Sequence, residues 1–485
     1  MTVTLTGRDL SRDEVVRVAR GGEPVALGAD ARARMLVNRA IVDRALAAGD
    51  RVYGTTTAVG VLKRVGVAAA DAAGYSSWML GHHLVGQGPD APAEIVRATM
   101  VRLANHVAEG SPGVRPELAD RLIGALNGGE TPRVHATGSV GSADLAPLAE
   151  LATGLFADVE LAPGEGTALL DNNSFATAWA TLAVTDTETL LAAMDVAGAL
   201  SLDGFAANPT LLHPAIGDVR PYPGLQATLA RLAALLEGSA IHEPGVARNL
   251  QDPLTFRSLP QVLGACRDVL AHVDAVLAIE LNASQGNPIV VPTEDRVVSV
   301  ANFEILPLAA ALDYLRIVLA TALTSATERV VKSLYPPWSE LPTGLAPEAG
   351  TAHAGLTYLS LAAQSLAVEA RLLAGPVSFE LASTSHAEGI EDRTTMAPLA
   401  ARRLAEMTER GATIVAIELT VAAQALELRG HRPGVGTGRA LAAVRRRVPF
   451  LTMEDRVPDV GLLADAVRSG ALIDDVRGIG DVDRP

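Results

Sequence analysis

Five stretches of this chain carry apolar residues at three- and four-residue spacing over several turns: Leu182 to Leu202, Leu263 to Leu281, Leu308 to Leu334, Leu356 to Leu373 and Ile414 to Leu428. Helices of that length can bury their apolar stripes only against one another, so the spacing points to a bundle. Aromatic residues make up 3% of the sequence, so the facing stripes are small and aliphatic and suit close helix packing. Pro221-Tyr222-Pro223-Gly224, Gly286-Asn287-Pro288 and Pro336-Pro337 punctuate the helical stretches. Near the start the pattern is mixed. Thr2 to Leu5 and Arg51 to Gly54 read as short β-type runs, and Ala31 to Ala48 as a helix. The expected fold is mostly α, an extended central helical bundle with a small mixed N-terminal region. Its expected division is a mixed region over residues 1–110 and a bundle over 111–485.

The chain has 485 residues, 49% of them hydrophobic and 20% charged, which is enough to bury a substantial core and excludes the disordered class. Its 40 Lys and Arg against 55 Asp and Glu leave a formal charge of -15, which repels nucleic acid and anionic membrane. The single cysteine, Cys266, excludes an internal disulfide and a multi-thiolate metal site. Met1 to Leu10 lacks the apolar segment of a secretory signal. The greasiest stretch, Gly411 to Leu426, is interrupted by Thr, Glu and Gln. A cytoplasmic protein without a membrane span is expected.

Several polar or glycine-rich segments read as ordinary structure. Gly434-Val435-Gly436-Thr437-Gly438 has no preceding strand and no following Lys-Ser/Thr, so it reads as a surface turn. His82 and His83 are adjacent and cannot share a helix face as metal ligands. His386, Glu388, Glu391 and Asp392 read by themselves as an exposed helix start. Three other segments carry more. Thr137 to Pro147 is a small-residue loop entering a helix, with Asp144 as its expected N-cap, where amides and the helix dipole can meet an anion. Leu250 to Gln261 places Gln251, Asp252, Arg257 and Gln261 between apolar helical stretches, a polarity that is costly to bury unpartnered. Arg51 to Gly60 is a strand-to-loop that can set the phenol of Tyr53 in a cleft.

In this order and spacing these segments resemble the aromatic amino acid ammonia-lyase and aminomutase family, its histidine ammonia-lyase-like branch above all. The resemblance covers nearly the whole chain. It rests on Tyr53-Gly54 with Gly60, His83 with Gly86 and Gly88, and Arg102 with Asn105. It continues through Gly138 to Gly141, Asp144 to Leu148, Gln251-Asp252-Pro253 with Arg257 and Gln261, Asn302-Phe303, Glu391-Asp392 with Met396, and Gln424. It implies a helical homotetramer with active sites shared between subunits and a small carboxylate-bearing substrate. It also implies a methylidene-imidazolone (MIO) electrophile made from an Ala-Ser-Gly tripeptide. On the same resemblance Tyr53 is the base, Arg257 holds the substrate carboxylate, Gln251 orients the site, Glu391 lies near the amine, His83 near the side chain and Phe303 against the electrophile.

The chain departs from the family pattern where the electrophile and the amine belong. Between Gly141 and Asp144 there is only Ser142-Ala143, and the alternative alignment makes the triad Gly141-Ser142-Ala143. Ring closure disfavours a β-carbon at the third position. Asp171, followed by Asn172 and Asn173, stands where the family has an asparagine; Leu254 replaces a tyrosine, Glu304 a histidine and Ile390 a glutamine. The expected function is therefore an ammonia-lyase-like enzyme of specialised metabolism without MIO, metal or other cofactor. It would perform acid/base elimination, conjugate addition or cyclisation on an activated carboxylate substrate. Its catalytic set is Tyr53, His83, Glu391 and Ser142; its substrate set is Arg257, Gln251, Asp171, Phe303, Leu254, Asn172 and Glu304. The alternative is an MIO-dependent, histidine-type ammonia-lyase or aminomutase with a Gly-Ser-Ala triad, and the third reading is a non-catalytic ligand-binding or scaffold homologue.

Overall fold

The computed structural model describes residues 2–68, 70–379 and 389–477. Its architecture is mostly α. The expected stretches form the helices Ser174–Phe205, Leu259–Glu280, Leu306–Leu334, Leu359–Leu373 and Ala397–Arg429. Two boundaries move for local reasons. Leu356 lies in a turn rather than a helix, because Gly355 takes φ +57° and the Leu356 amide donates to the Gly344 carbonyl at 2.6 Å. The last helix begins at Ala397, well before Ile414, because charged residues such as Glu406 and Glu409 on its exposed side interrupt the apolar stripe.

Three two-stranded sheets accompany the helices. Val3–Leu5 pairs in parallel with Val25–Leu27; Gln87–Asp90 pairs antiparallel with His135–Thr137, and Ile289–Val291 with Arg296–Val298. Arg51–Gly54 is not a strand. The Val52 carbonyl accepts from the amides of Thr55, Thr56 and Thr57, which curls this segment into a turn. The Gly434–Gly438 segment is not a surface turn either. It opens the helix Val435–Arg445, with Gly436 and Thr437 buried and the Gly434 amide and Thr437 hydroxyl both donating to Asp203.

The chain divides into two compact units: Met1–Ala183, Val273–Asp313 and Pro376–Arg402 form the first, and Val184–His272, Tyr314–Gly375 and Arg403–Pro485 the second. In the first, the helix Ala93–Glu109 is buried along most of its length. Arg102 and Asn105 on that helix meet the end of the helix Leu259–Glu280. Arg102 donates to the carbonyls of Glu280 at 2.9 Å and Ala283 at 2.7 Å, and Asn105 to that of Leu281 at 2.9 Å. Carbonyls that a helix C-terminus leaves unpaired are satisfied there by side chains.

Leu306–Leu334 and Ala397–Arg429 are long and apolar enough to cross a membrane, yet 61% and 83% of their most apolar windows are buried inside the protein. Within the second unit they carry a buried ion pair. Arg329 and Glu418 are each 1% exposed and meet through two bonds of 2.6 and 3.1 Å. Ser201 donates to the same carboxylate at 2.8 Å, and Arg329 also donates to the Thr255 carbonyl. Removing one partner of such a pair leaves the other charge buried and uncompensated. Glu418→Ala is expected to cost about 3–5 kcal/mol, read as a lower denaturation midpoint in urea at unchanged slope.

Candidate active site

Tyr53 stands on the turn that follows the helix Ala29–Ala48. Gly54 takes φ +69°, and the space a β-carbon would need is filled by Thr167, whose hydroxyl donates to the Gly54 carbonyl at 2.8 Å. The Gly60 amide donates to the phenol oxygen of Tyr53 and the Val59 amide to that of Tyr75, each at 3.1 Å. Two phenols thus pin consecutive amides of the loop. Burial pushes the Tyr53 phenol up to about 12, and the charges of Asp171 and Glu391 add to the rise while the Gly60 amide opposes it. At neutral pH Tyr53 is therefore a neutral phenol.

His83 follows the helix Ala72–His82. Its Nδ1 lies 2.8 Å from the Met79 carbonyl, so in the neutral ring that nitrogen carries the hydrogen and Nε2 keeps its lone pair. His82 instead stacks on Trp78, ring centroids 3.8 Å apart. Asp171 ends the helix Glu165–Leu170, and no hydrogen bond among the described residues reaches its carboxyl. Burial pushes that carboxyl up to about 8, with the Glu391 charge adding to it.

The Gly138–Asp144 loop is a tight hairpin. Gly141 at φ +84° and Ala143 at φ +62° pair with each other across Ser142, and Ser142 pairs with Glu304. The Gly141 carbonyl accepts from Asn173 Nδ2 at 3.2 Å and from the Thr395 hydroxyl at 2.9 Å. The Ser142 hydroxyl donates to the Arg393 carbonyl at 2.7 Å. Asp144 is the N-cap residue of the helix Leu145–Phe156, as expected from sequence, but its side chain makes no capping bond to that helix. Its carboxylate accepts from the Ser139 hydroxyl at 2.7 Å and from the Ala176 amide at 2.8 Å, in the first turn of the helix Ser174–Phe205. Burial raises it to about 6.

A cavity of about 330 Å³ brings Tyr53, His83, Ser142, Asp171, Phe303 and Glu391 together. Val59, Met79, Leu145, Leu170 and Ile390 form its apolar wall, and Thr167, Asn287 and Ser299 add neutral polar groups. The size lies at the small end of roughly 300–1,000 Å³ for small-molecule sites. The other expected residues are elsewhere. Asn172 is fully buried and spends its side chain on the Ala168 and Leu169 carbonyls and the Ser174 amide. Glu304 accepts from the Leu306 amide at 2.9 Å at the start of the helix Leu306–Leu334. Gln251, Leu254 and Arg257 belong to the second unit. The polarity of their segment is only partly buried: Asp252 is buried and accepts from the Asn208 amide at 2.7 Å, whereas Gln251 and Arg257 are exposed, Leu254 is 60% exposed, and Arg257 donates to the Asp252 carbonyl at 3.1 Å. His386 and Glu388 lie outside the described residues. Sequence reasoning missed Tyr75, Asn173, Asn287, Ser299 and Thr395. Asn173 carried a signal, as the end of the Asp171-Asn172-Asn173 run; Thr395 carried none.

A model of the aromatic amino acid lyases matches residues 10–160 and 156–446. The chain belongs to the aromatic amino acid lyase family. It is 37% identical to a histidine ammonia-lyase of Sorangium cellulosum, over 97% of this chain and 98% of that one. Among solved structures it is similar to ergothionase, an ergothioneine-degrading enzyme of Treponema denticola, with a TM-score of 0.92 at 27% identity over 98% of this chain and 100% of that one. It is likewise similar to the histidine ammonia-lyase of Trypanosoma cruzi, with a TM-score of 0.88 at 27% identity over 98% and 95%. The chain is thus an enzyme of an ammonia-lyase family.

The MIO group that this family implies requires the third residue's amide nitrogen to close on the first residue's carbonyl carbon. The backbone of Gly141-Ser142-Ala143 fits that demand. The hairpin draws residues 141 and 143 together, and two donors polarise the Gly141 carbonyl. The tripeptide departs from Ala-Ser-Gly at both ends: Gly141 lacks a β-carbon and Ala143 keeps one, whose left-handed φ costs roughly 1–2 kcal/mol relative to glycine. Because Thr167 fills the space beside Gly54, Gly54→Ala is expected to displace the Tyr53 turn at a cost of about 1–3 kcal/mol. Turnover should fall by more than that stability loss explains, measured as kcat beside the thermal midpoint.

Proposed function

We propose that this protein eliminates the α-amine of a histidine-like aromatic amino acid, with Tyr53 removing the β-proton. The observation that carries this reading is the single cavity in which a phenol, two carboxylates, an imidazole and Ser142 meet. The near full-length match to a relative named histidine ammonia-lyase supports it. The acidic end of the cavity, Asp171 and Glu391, receives the amine; His83, Met79 and Phe303 receive the ring. The substrate carboxylate is held by Arg257 as a two-pronged partner, with Gln251 beside it. Both residues are exposed on their own chain, which supports a homotetramer in which they serve the cavity of another copy.

The positive charge of the bound substrate offsets the acids around Tyr53 and brings the phenol toward its working range. Tyr53 then accepts the β-proton. The C–H electron pair becomes the new carbon–carbon double bond, and the C–N bond breaks with its pair leaving on nitrogen. Gly141-Ser142-Ala143 would supply MIO, the electrophile for such an elimination. Asn173 and Thr395 hold the Gly141 carbonyl, and Phe303 lines the same cavity as Ser142.

One observation favours a second reading. Ala143 keeps a β-carbon at the position where closure favours glycine. On that reading no MIO forms, and Tyr53 acts on a substrate whose C–H bond or leaving group is already activated. The intact mass and a peptide map over Gly138 to Pro147 separate the two: a deficit of two waters supports the MIO reading, and an unmodified peptide supports the second.

Tyr53→Phe is expected to lower kcat by about 10²–10⁴-fold with a small change in KM. Turnover undiminished in that variant would sink both readings. Because Tyr53 starts near 12, wild-type kcat/KM should rise from neutral toward alkaline pH, and that limb should vanish in Tyr53→Phe. Dissociating and reassembling a mixture of Tyr53→Phe and Arg257→Ala proteins should restore activity that neither has alone. No recovery would remove the shared site.

A further inference from the structure

Asp171 stands where the family resemblance has an asparagine, and this one exchange makes the amine end of the cavity doubly acidic. Asp171 and Glu391 both line the cavity, and no Lys or Arg is among the lining residues. Tyr53 and His83 face the same space. Behind the cavity, the backbone of Asp171 and the ring of His106 flank Gly286, at 3.5 and 3.6 Å from where its β-carbon would stand. His106 supplies no charge there: burial and then the neighbouring Arg102 push it down to about 3. Arg102 itself is committed to the Glu280 and Ala283 carbonyls. Asp171 receives no hydrogen bond at its carboxyl among the described residues, and burial and then the Glu391 charge raise it to about 8, so it holds a proton at neutral pH.

We propose that Asp171 and Glu391 form a proton-exchanging receptor for a positively charged nitrogen, an ammonium or a methylated ammonium, releasing a proton as the cation enters. Asp171 is the residue that sets the preference. An asparagine there would leave Glu391 as the one carboxyl of the lining and remove the raised acid that gives up the proton. An uncharged amine gains little from the pair, whereas a cation between the two carboxyls offsets the burial and the Glu391 charge that keep Asp171 protonated, and so ionises it. The proposal rests on the reading that the amine end of the substrate enters this cavity.

The test uses the full-length Tyr53→Phe protein, so that bound ligand persists, and the N,N,N-trimethyl derivative of histidine, whose ammonium cannot titrate. Its imidazole can, so the proton release assigned to the protein is the part lost in the Asp171→Asn background. Calorimetric titration at pH 7 in two buffers of different ionisation enthalpy should give close to one proton released per cavity. Adding Asp171→Asn should abolish the release and weaken binding by at least about tenfold. No binding, binding without release, or release unchanged in the Asp171→Asn background would overturn the proposal. Infrared spectra give a reading independent of affinity. The difference spectrum on cation binding should show the loss of a protonated carboxylic-acid carbonyl band, and that loss should be absent in a folded Asp171→Asn variant. The same loss persisting after that substitution would also overturn the proposal. Neither measurement needs turnover, so proton-coupled binding without ammonia release from histidine would overturn the lyase reading alone.

Discussion

Acidic groups crowded into one poorly solvated cavity govern this site. Tyr53, Asp171 and Glu391 share walls with apolar side chains and with no lysine or arginine among the lining residues. Burial penalises the charged forms of Tyr53 and Asp171, and the Glu391 charge adds to both penalties. The phenol and the Asp171 carboxyl are both pushed upward as a result. On the proposed function, a substrate that brings its own positive charge would also offset the acids around Tyr53, coupling recognition to chemistry.

The hairpin at Gly141–Ala143 shows the same economy in the backbone. Its first carbonyl is held from two directions, by Asn173 and by Thr395, and the hydroxyl of Ser142 is tied to the Arg393 carbonyl. Glu304 replaces a histidine of the family pattern, but it works on the backbone: it pairs with Ser142 and satisfies an amide at the start of the next helix. Asp144 joins its own loop to the helix Ser174–Phe205 by accepting from Ser139 and Ala176. These contacts fix the turn whether or not the tripeptide is chemically altered. Positive φ at Ala143 is the strain they sustain.

Much of the fold was legible because helix formation is local. Apolar spacing located the long helices, and misplaced ends arose where the pattern was interrupted, by Gly355 at one and by an exposed charged face at another. The Arg51–Gly54 run deceived for the opposite reason: β-type side chains do not prevent a turn when three amides can share one carbonyl. Within the site, Tyr53, His83, Ser142, Asp171, Phe303 and Glu391 were found through motif spacing and do meet in one cavity. Asn172 was misread because a polar side chain beside a helix start serves the backbone as readily as a ligand.

What the sequence determined by itself was the helical architecture, the family and the identity of the chemical groups, since periodicity and spacing are properties of neighbouring residues. Tertiary structure alone decided which distant groups act together and in what state. Thr395 reaches Gly141 across 254 positions of chain, and Glu391 raises the carboxyl of Asp171 from a different segment. Proton affinity depends on burial and on the charges that share a cavity. Those quantities exist only once the chain has folded.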